Sequence, residues 1–213
     1  MEKVRGRALS LATISALVLA GSMVPMHGAA AAGASTDSLL AHYEFTEASG
    51  SILADSSGNG RSASVVGTPV WTSGSLQLSG APHNASRVDL PDGLLAGRTE
   101  ATISVEVKPT AATLTRDNFL WNVGGTSTST SGTGSWFVAP RDRIRTAITR
   151  TNWRGEQSIG WDRTLTADTW QNVTATIKKN PNGSSTLRLF VDGTQRALRE
   201  NSTVGLADLT DHT

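Results

Sequence analysis

From Leu40 onward, apolar and polar positions alternate in short runs separated by turn residues. Ala101 to Lys108 is the clearest run. Ile103, Val105 and Val107 fall on one face, and Ser104, Glu106 and Lys108 on the other. A period of two predicts a half-buried strand with a single core face. Leu40-Ala41-His42-Tyr43-Glu44-Phe45, Ser75-Leu76-Gln77-Leu78-Ser79, Ser86 to Leu90, Arg143 to Ile148 and Trp170 to Lys178 follow the same rule. Shorter strands are expected at Ser64–Val66, Pro69–Trp71, Phe119–Val123 and Trp136–Val138. Leu187 to Val191 runs into Asp192-Gly193, and Thr194 to Leu198 leaves it. Asp-Gly between two such runs predicts a tight hairpin, because both central positions tolerate positive φ. Ala54 to Gly60 is a dense turn signal, and Gly124 to Gly134 reads as a flexible Gly/Ser/Thr loop. No sustained helical period interrupts this pattern, and no internal repeat or boundary divides it. Many closely spaced short strands predict an all-β sandwich or barrel in one domain.

The first residues follow a different rule. Lys3, Arg5 and Arg7 precede an apolar run from Leu9 to Leu19, which extends weakly to Val24 and leads to Ala29-Ala30-Ala31-Ala32-Gly33-Ala34. A basic start, a short apolar stretch and small residues at the end predict a signal peptide over 1–32, cut near Ala32. The run is short for a membrane span. The expected product is a secreted domain over 33–213, roughly 180 residues, large enough for its own core. Without the leader's charges the chain is close to neutral. It has no electrostatic footprint for nucleic acid and no polybasic membrane patch. The chain has no cysteine, which excludes disulfides, thiol nucleophiles and Cys-ligated zinc.

Candidate chemistry is sparse. Hydrolysis of a glycosidic bond ordinarily uses two carboxylates flanking it, and Glu106 forms no such pair on its own strand face, where Ser104 and Lys108 are its neighbours. No G-x-S-x-G occurs, and His42, His83 and His212 fit no triad or metal spacing. Calcium is the best metal expectation: Asp55 offers a carboxylate and Asn59 an amide oxygen within one tight turn. Ca²⁺ takes six to eight oxygens, so the turn alone does not saturate it. The competing reading is a plain Asx-type turn. Trp121, Trp136 and Trp153, with Trp161, lie in or near Gly124–Gly134 and Arg150–Gly160. Exposed there, they would stack on sugar faces; otherwise they fill a sandwich core. Trp71 and Trp170 read as core. Arg141, Arg143 and Arg145 alternate opposite Ile144, which places them on one outer face. Arg143 and Arg145 could bind acidic sugars in bidentate fashion, or simply be solvated.

The order of motifs resembles that of bacterial laminin-G-like modules of the concanavalin A-like lectin/glucanase superfamily. The resemblance rests on Leu40 to Phe45, Ala54 to Gly60, Gly74 to Gly80, Ile103 to Pro109, Trp170 to Thr176 and Leu189 to Gly193. It implies a jelly-roll of two curved antiparallel sheets. It also implies a non-catalytic role, with sugar binding or adhesion, in modules often appended to secreted arabinan- or xylan-directed glycoside hydrolases. Two departures stand out. The family often carries an aromatic residue where Glu106 stands. It also closes with a strand bearing paired aspartates, which in related modules supplies further calcium ligands, whereas the sequence stops at Asp208-Leu209-Thr210-Asp211-His212-Thr213. The expectation is a jelly-roll lacking its C-terminal closing strand. It would be a secreted carbohydrate-binding module for plant or cell-wall polysaccharide. The alternatives are the N-terminal accessory part of a glycoside hydrolase, covalently linked to a catalytic domain beyond this chain, and an extracellular adhesion module.

Overall fold

The computed structural model describes residues 2–5, 9–12, 39–72, 74–79, 86–115, 118–124, 134–151 and 155–209, the first two segments through their backbone pairing. Sixteen strands follow in chain order. They are β1 (Glu2–Arg5), β2 (Leu9–Ala12), β3 (Leu39–Tyr43), β4 (Ile52–Leu53), β5 (Ala63–Gly67), β6 (Val70–Thr72), β7 (Ser75–Leu78) and β8 (Ser86–Asp89). Then come β9 (Glu100–Lys108), β10 (Trp121–Gly124), β11 (Ser135–Ala139), β12 (Arg145–Thr149), β13 (Gln157–Gly160), β14 (Gln171–Lys179), β15 (Ser185–Val191) and β16 (Thr194–Ser202). One helical turn, α1 (Ala111–Leu114), follows β9, capped by the Thr110 side chain, which accepts from the Thr113 N–H.

The strands form three sheets. The largest has nine strands and runs β16-β15-β14-β9-β1-β7-β6, with β2 between β9 and β3. A four-stranded sheet runs β10-β11-β12-β13, and a three-stranded sheet runs β4-β5-β8. Every pairing is antiparallel, and the architecture is an all-β jelly-roll sandwich.

Register carries the alternation read from the sequence into one core. On β9, Ala101, Ile103, Val105 and Val107 are buried; they stand opposite Ile177, Ala175, Val173 and Gln171 of β14. Val173, Ala175 and Ile177 in turn oppose Val191, Leu189 and Leu187 of β15. This face meets Leu53 and Val65 from the three-stranded sheet and Val123, Trp136, Val138, Ile144 and Ile148 from the four-stranded side in a single cluster. On the outer face of the large sheet, Ser104, Asn172 and Thr174 bond to one another. The Asp192-Gly193 hairpin forms as expected, with φ of 51° and 73°.

Two of the nine strands come from the segment that composition assigns to an export leader. β1 and β2 lie inside the large sheet, not at its rim.

Candidate functional site

A cleft of about 500 Å³ opens beside the β6–β7 hairpin. Thr46, Glu47, Ala48, Trp71, Thr72 and Gly74 line it. Trp71 is held from both sides. Its backbone pairs with Leu76, and its indole N–H donates to the Gly50 carbonyl at 3.1 Å. Its apolar ring packs against the core and remains half-buried. Glu47 comes from the loop between β3 and β4. Its Oε1 accepts the Ala54 N–H at 2.7 Å, while Oε2 is enclosed and has no partner. An aromatic wall with polar residues such as Thr46 and Thr72 beside it suits a ligand that is apolar on one face and rich in hydroxyls at its edge. Trp71 was expected in the core, and nothing in the local pattern singled out Glu47. The only available signal was a polar loop between two strands.

The residues expected to bind ligand do not converge here, and strand parity explains why. Trp136 and Val138 share the inner face of β11, and Trp136 is 0 % exposed. Its indole N–H donates to Thr146 Oγ1 at 3.0 Å, and that hydroxyl donates to the Phe137 carbonyl. Trp121 sits on the same inner side, edge-on to Trp136 with ring centroids 4.8 Å apart. Trp136 is therefore a core residue with no face for a sugar, and Trp121 is half-buried against it. Trp153 lies outside the described residues.

Arg145 points to the opposite side of the same sheet. Its guanidinium contacts Glu156 at 2.6 Å and lies 4.9 Å from the centroid of the Phe137 ring. Phe119 packs on that ring from the other strand end, at 4.7 Å, and is half-exposed. Arg143 is exposed in the bend before β12, and Arg141 contacts Asp142. The three arginines thus do not form one strand face: β12 begins only at Arg145, and the residues before it are bent. Trp161 is flanked by the guanidinium of Arg196 at 4.3 Å and that of Arg163 at 5.9 Å, a pairing the sequence did not bring together.

The Asp55 turn is fully occupied by protein. Asp55 Oδ1 accepts from the N–H groups of His42 and Ser57, and Oδ2 from the Arg61 N–H and the Ser57 hydroxyl, all at 2.9 Å. Burial opposes ionisation, but these four donors outweigh it and hold the carboxyl down at about 2. Asn59 turns its amide nitrogen inward, donating to the carbonyls of Leu39 and Leu40 at 2.7 and 3.2 Å. One carboxylate, with both oxygens already bonded, and one amide oxygen fall well short of the six to eight oxygens that Ca²⁺ takes. Among the described residues no three His, Cys, Asp or Glu side chains gather to hold a metal. Beside this turn, burial pushes the Tyr43 hydroxyl up, and it donates to the Arg61 carbonyl.

Glu106 stands opposite Asn172 across the β9–β14 pair, so its nearest cross-strand neighbour is an amide. Among the described residues, no helix is long and apolar enough to cross a membrane.

The profile of the Laminin_G_3 family of the concanavalin A-like lectin/glucanases superfamily matches residues 82–212, and the chain belongs to that superfamily. No curated protein matches it. Among solved structures it is similar to domain 4 of AbnA, a GH43 extracellular arabinanase from Geobacillus stearothermophilus, in complex with arabinotriose. The TM-score is 0.54 at 15 % identity, over 78 % of this chain and 77 % of that one. A second similar structure is an S-layer domain-containing protein (residues 221–444) from Clostridium thermocellum, with a TM-score of 0.40 at 20 % identity, over 77 % and 73 % of the two chains.

Proposed function

We propose that this chain is a secreted, non-catalytic carbohydrate-binding module and that its glycan lies in the Trp71–Glu47 cleft. The observation that carries this reading is the half-buried Trp71 indole in the wall of one opening of about 500 Å³, with the polar residues Thr46, Glu47 and Thr72 around it. Sugar C–H faces stack on aromatic rings, and carboxylate oxygens accept hydrogen bonds from their hydroxyls. Membership of a lectin and glucanase superfamily supports it, as does the shared fold with an arabinanase domain solved with arabinotriose. A neutral, furanose- or pyranose-based plant polysaccharide fits a cleft lined by one aromatic residue, one carboxylate and small polar groups. In this reading the module serves as an accessory part of a polysaccharide-degrading protein, and the N-terminal leader directs its export.

Affinity electrophoresis in gels containing debranched arabinan, with xylan and polygalacturonate gels alongside, tests it. Wild-type protein should be retarded by a neutral glycan. Trp71→Ala should lose at least tenfold in affinity, the equivalent of about 1.4 kcal/mol. Arg143→Glu should leave binding unchanged. Retardation by polygalacturonate alone, abolished by Arg143→Glu and indifferent to Trp71→Ala, would instead assign binding to the arginines.

A further inference from the structure

Four arginines of the described chain have an acid beside them: Arg87 pairs with Asp89, Arg141 with Asp142, Arg145 with Glu156 and Arg150 with Asp208. Arg163 and Arg196 differ. Both are exposed, and neither makes an ion pair among the described residues. Their side chains lie instead against one indole, with the Arg196 guanidinium 4.3 Å and the Arg163 guanidinium 5.9 Å from the centre of the Trp161 ring. Asp162, Asp192 and Glu200, the acids nearest them along the chain, pair with neither. A cation–π contact restrains a guanidinium without spending its N–H donors on a carboxylate.

The backbone sets both arginines in place. β15 and β16 pair Leu189 with Ala197 but Phe190 with Gln195, so Arg196 is the extra residue of a bulge. A bulge takes a residue out of the strand's alternation and re-aims its side chain. Here Arg196 comes over Trp161, the residue that follows β13 of the other sheet. Trp161 and Arg163 are pinned to a single residue. The Trp161 N–H donates to the Ile144 carbonyl at 3.0 Å, and the Ile144 N–H donates to the Arg163 carbonyl at 2.9 Å. Ile144 is fully buried, and the Trp161 ring packs on the core, so this clamp is anchored in the interior. Segments from two sheets thus hold two positive charges around one ring. Like charges fixed close together repel, and a bound anion removes that repulsion.

We propose that Trp161, Arg163 and Arg196 form a second binding site, for an oxyanion carried on a glycan: the carboxylate of a uronic acid or a sulfate ester. A guanidinium presents parallel N–H donors that match two oxygens of either group. The site rests on the reading of the chain as a glycan-binding module. It shares no residue with the Trp71 cleft, whose lining contains no cation, and it takes the acidic groups that the cleft cannot hold.

Affinity electrophoresis of the full chain in polygalacturonate and in dextran sulfate gels, with debranched arabinan as the neutral reference, tests this. At least one acidic polymer should retard the protein, and less so as salt is raised. The more strongly retaining polymer identifies the group, and either identity upholds the site. Arg163→Gln with Arg196→Gln should lose roughly tenfold in affinity for that polymer and keep its retardation in arabinan. Arg163→Lys with Arg196→Lys keeps both charges without the paired donors and should still lose roughly threefold. Both pairs of changes are at exposed positions, so the melting temperature should stay close to that of the wild type. Retardation by neither acidic polymer overturns the proposal, while retardation in arabinan would still uphold the Trp71 cleft. Acidic binding that survives the glutamine pair, or that is as strong with the lysine pair as with the wild type, also overturns it and marks a diffuse attraction of charge. Retardation by an acidic polymer alone, abolished by the glutamine pair, upholds this site and removes the cleft.

Discussion

Asp55 is surrounded by donors that exist only in the folded chain: two N–H groups from its own turn, one from β3, and a serine hydroxyl. Its carboxyl is held at about 2, below the usual unfolded value of about 3.9. The stabilisation is therefore complete above pH ~4 and is lost as pH falls from there toward 2. Asp55→Asn replaces one acceptor oxygen with an amide that faces the Arg61 N–H. It should cost about 1–3 kcal/mol at pH 7 and flatten the acid limb of a melting-temperature profile between pH 5 and 2. An unchanged limb would mean the acid sensitivity arises elsewhere. Trp136 makes the contrasting case. It fills the core and spends its only polar group on Thr146, so Trp136→Ala should lose about 3–5 kcal/mol in chemical denaturation. The six tryptophans look alike as sequence; Trp71 and Trp136 both face the core, and what separates them is that Trp71 stands on the edge strand β6, where it also lines the cleft.

At the scale of elements, the alternating runs were legible because a buried face selects its own period. β9, β14 and β15 emerge where Ile103-Val105-Val107, Val173-Ala175-Ile177 and Leu187-Leu189-Val191 recur every second residue. The hairpin at Asp192 was legible because its backbone geometry admits few residue types. The candidate site was not legible. Glu47 and Trp71 lie 24 positions apart in sequence and meet only because β6 folds back beside the loop after β3. Parity across the arginines failed for a related reason: a bend at Asp142, with φ of 55°, precedes β12 and breaks the period before Arg145. The Gly124–Gly134 segment read as one loose loop, yet its two ends are pinned. Gly124 has φ of 107°, and a Cβ there would collide with the Gly134 carbonyl. A Cβ on Gly134 would come within 2.6 Å of the Thr149 carbonyl. Gly124→Ala should therefore destabilise the β10–β11 pair through both strain and overlap. Loss of amide protection at Asn122–Gly124 and Ser135–Phe137, with β14 and β15 unaffected, would show it.

Across the whole molecule, one core joins all three sheets, so no sheet is a separate folding unit by burial alone. The sheets nevertheless differ greatly in how far apart along the chain their partners lie. β14, β15 and β16 form an uninterrupted meander from Gln171 to Ser202, joined by short turns. By contrast, the β9–β14 pair brings together segments more than sixty positions apart. Closing a long loop costs chain entropy before any contact repays it, so the meander is the part that can assemble first and β9 joins it later. Pulse-labelled hydrogen exchange during refolding should protect 173–191 ahead of 101–107; simultaneous protection would argue for a single diffuse nucleus. The meander also follows every other strand in the sequence. A ribosome therefore delivers this meander last, and β9 is made well before its partner β14 exists. Under the export proposed above, through a channel that threads unfolded polypeptide, that delay keeps β9 free of its β14 partner for most of the synthesis.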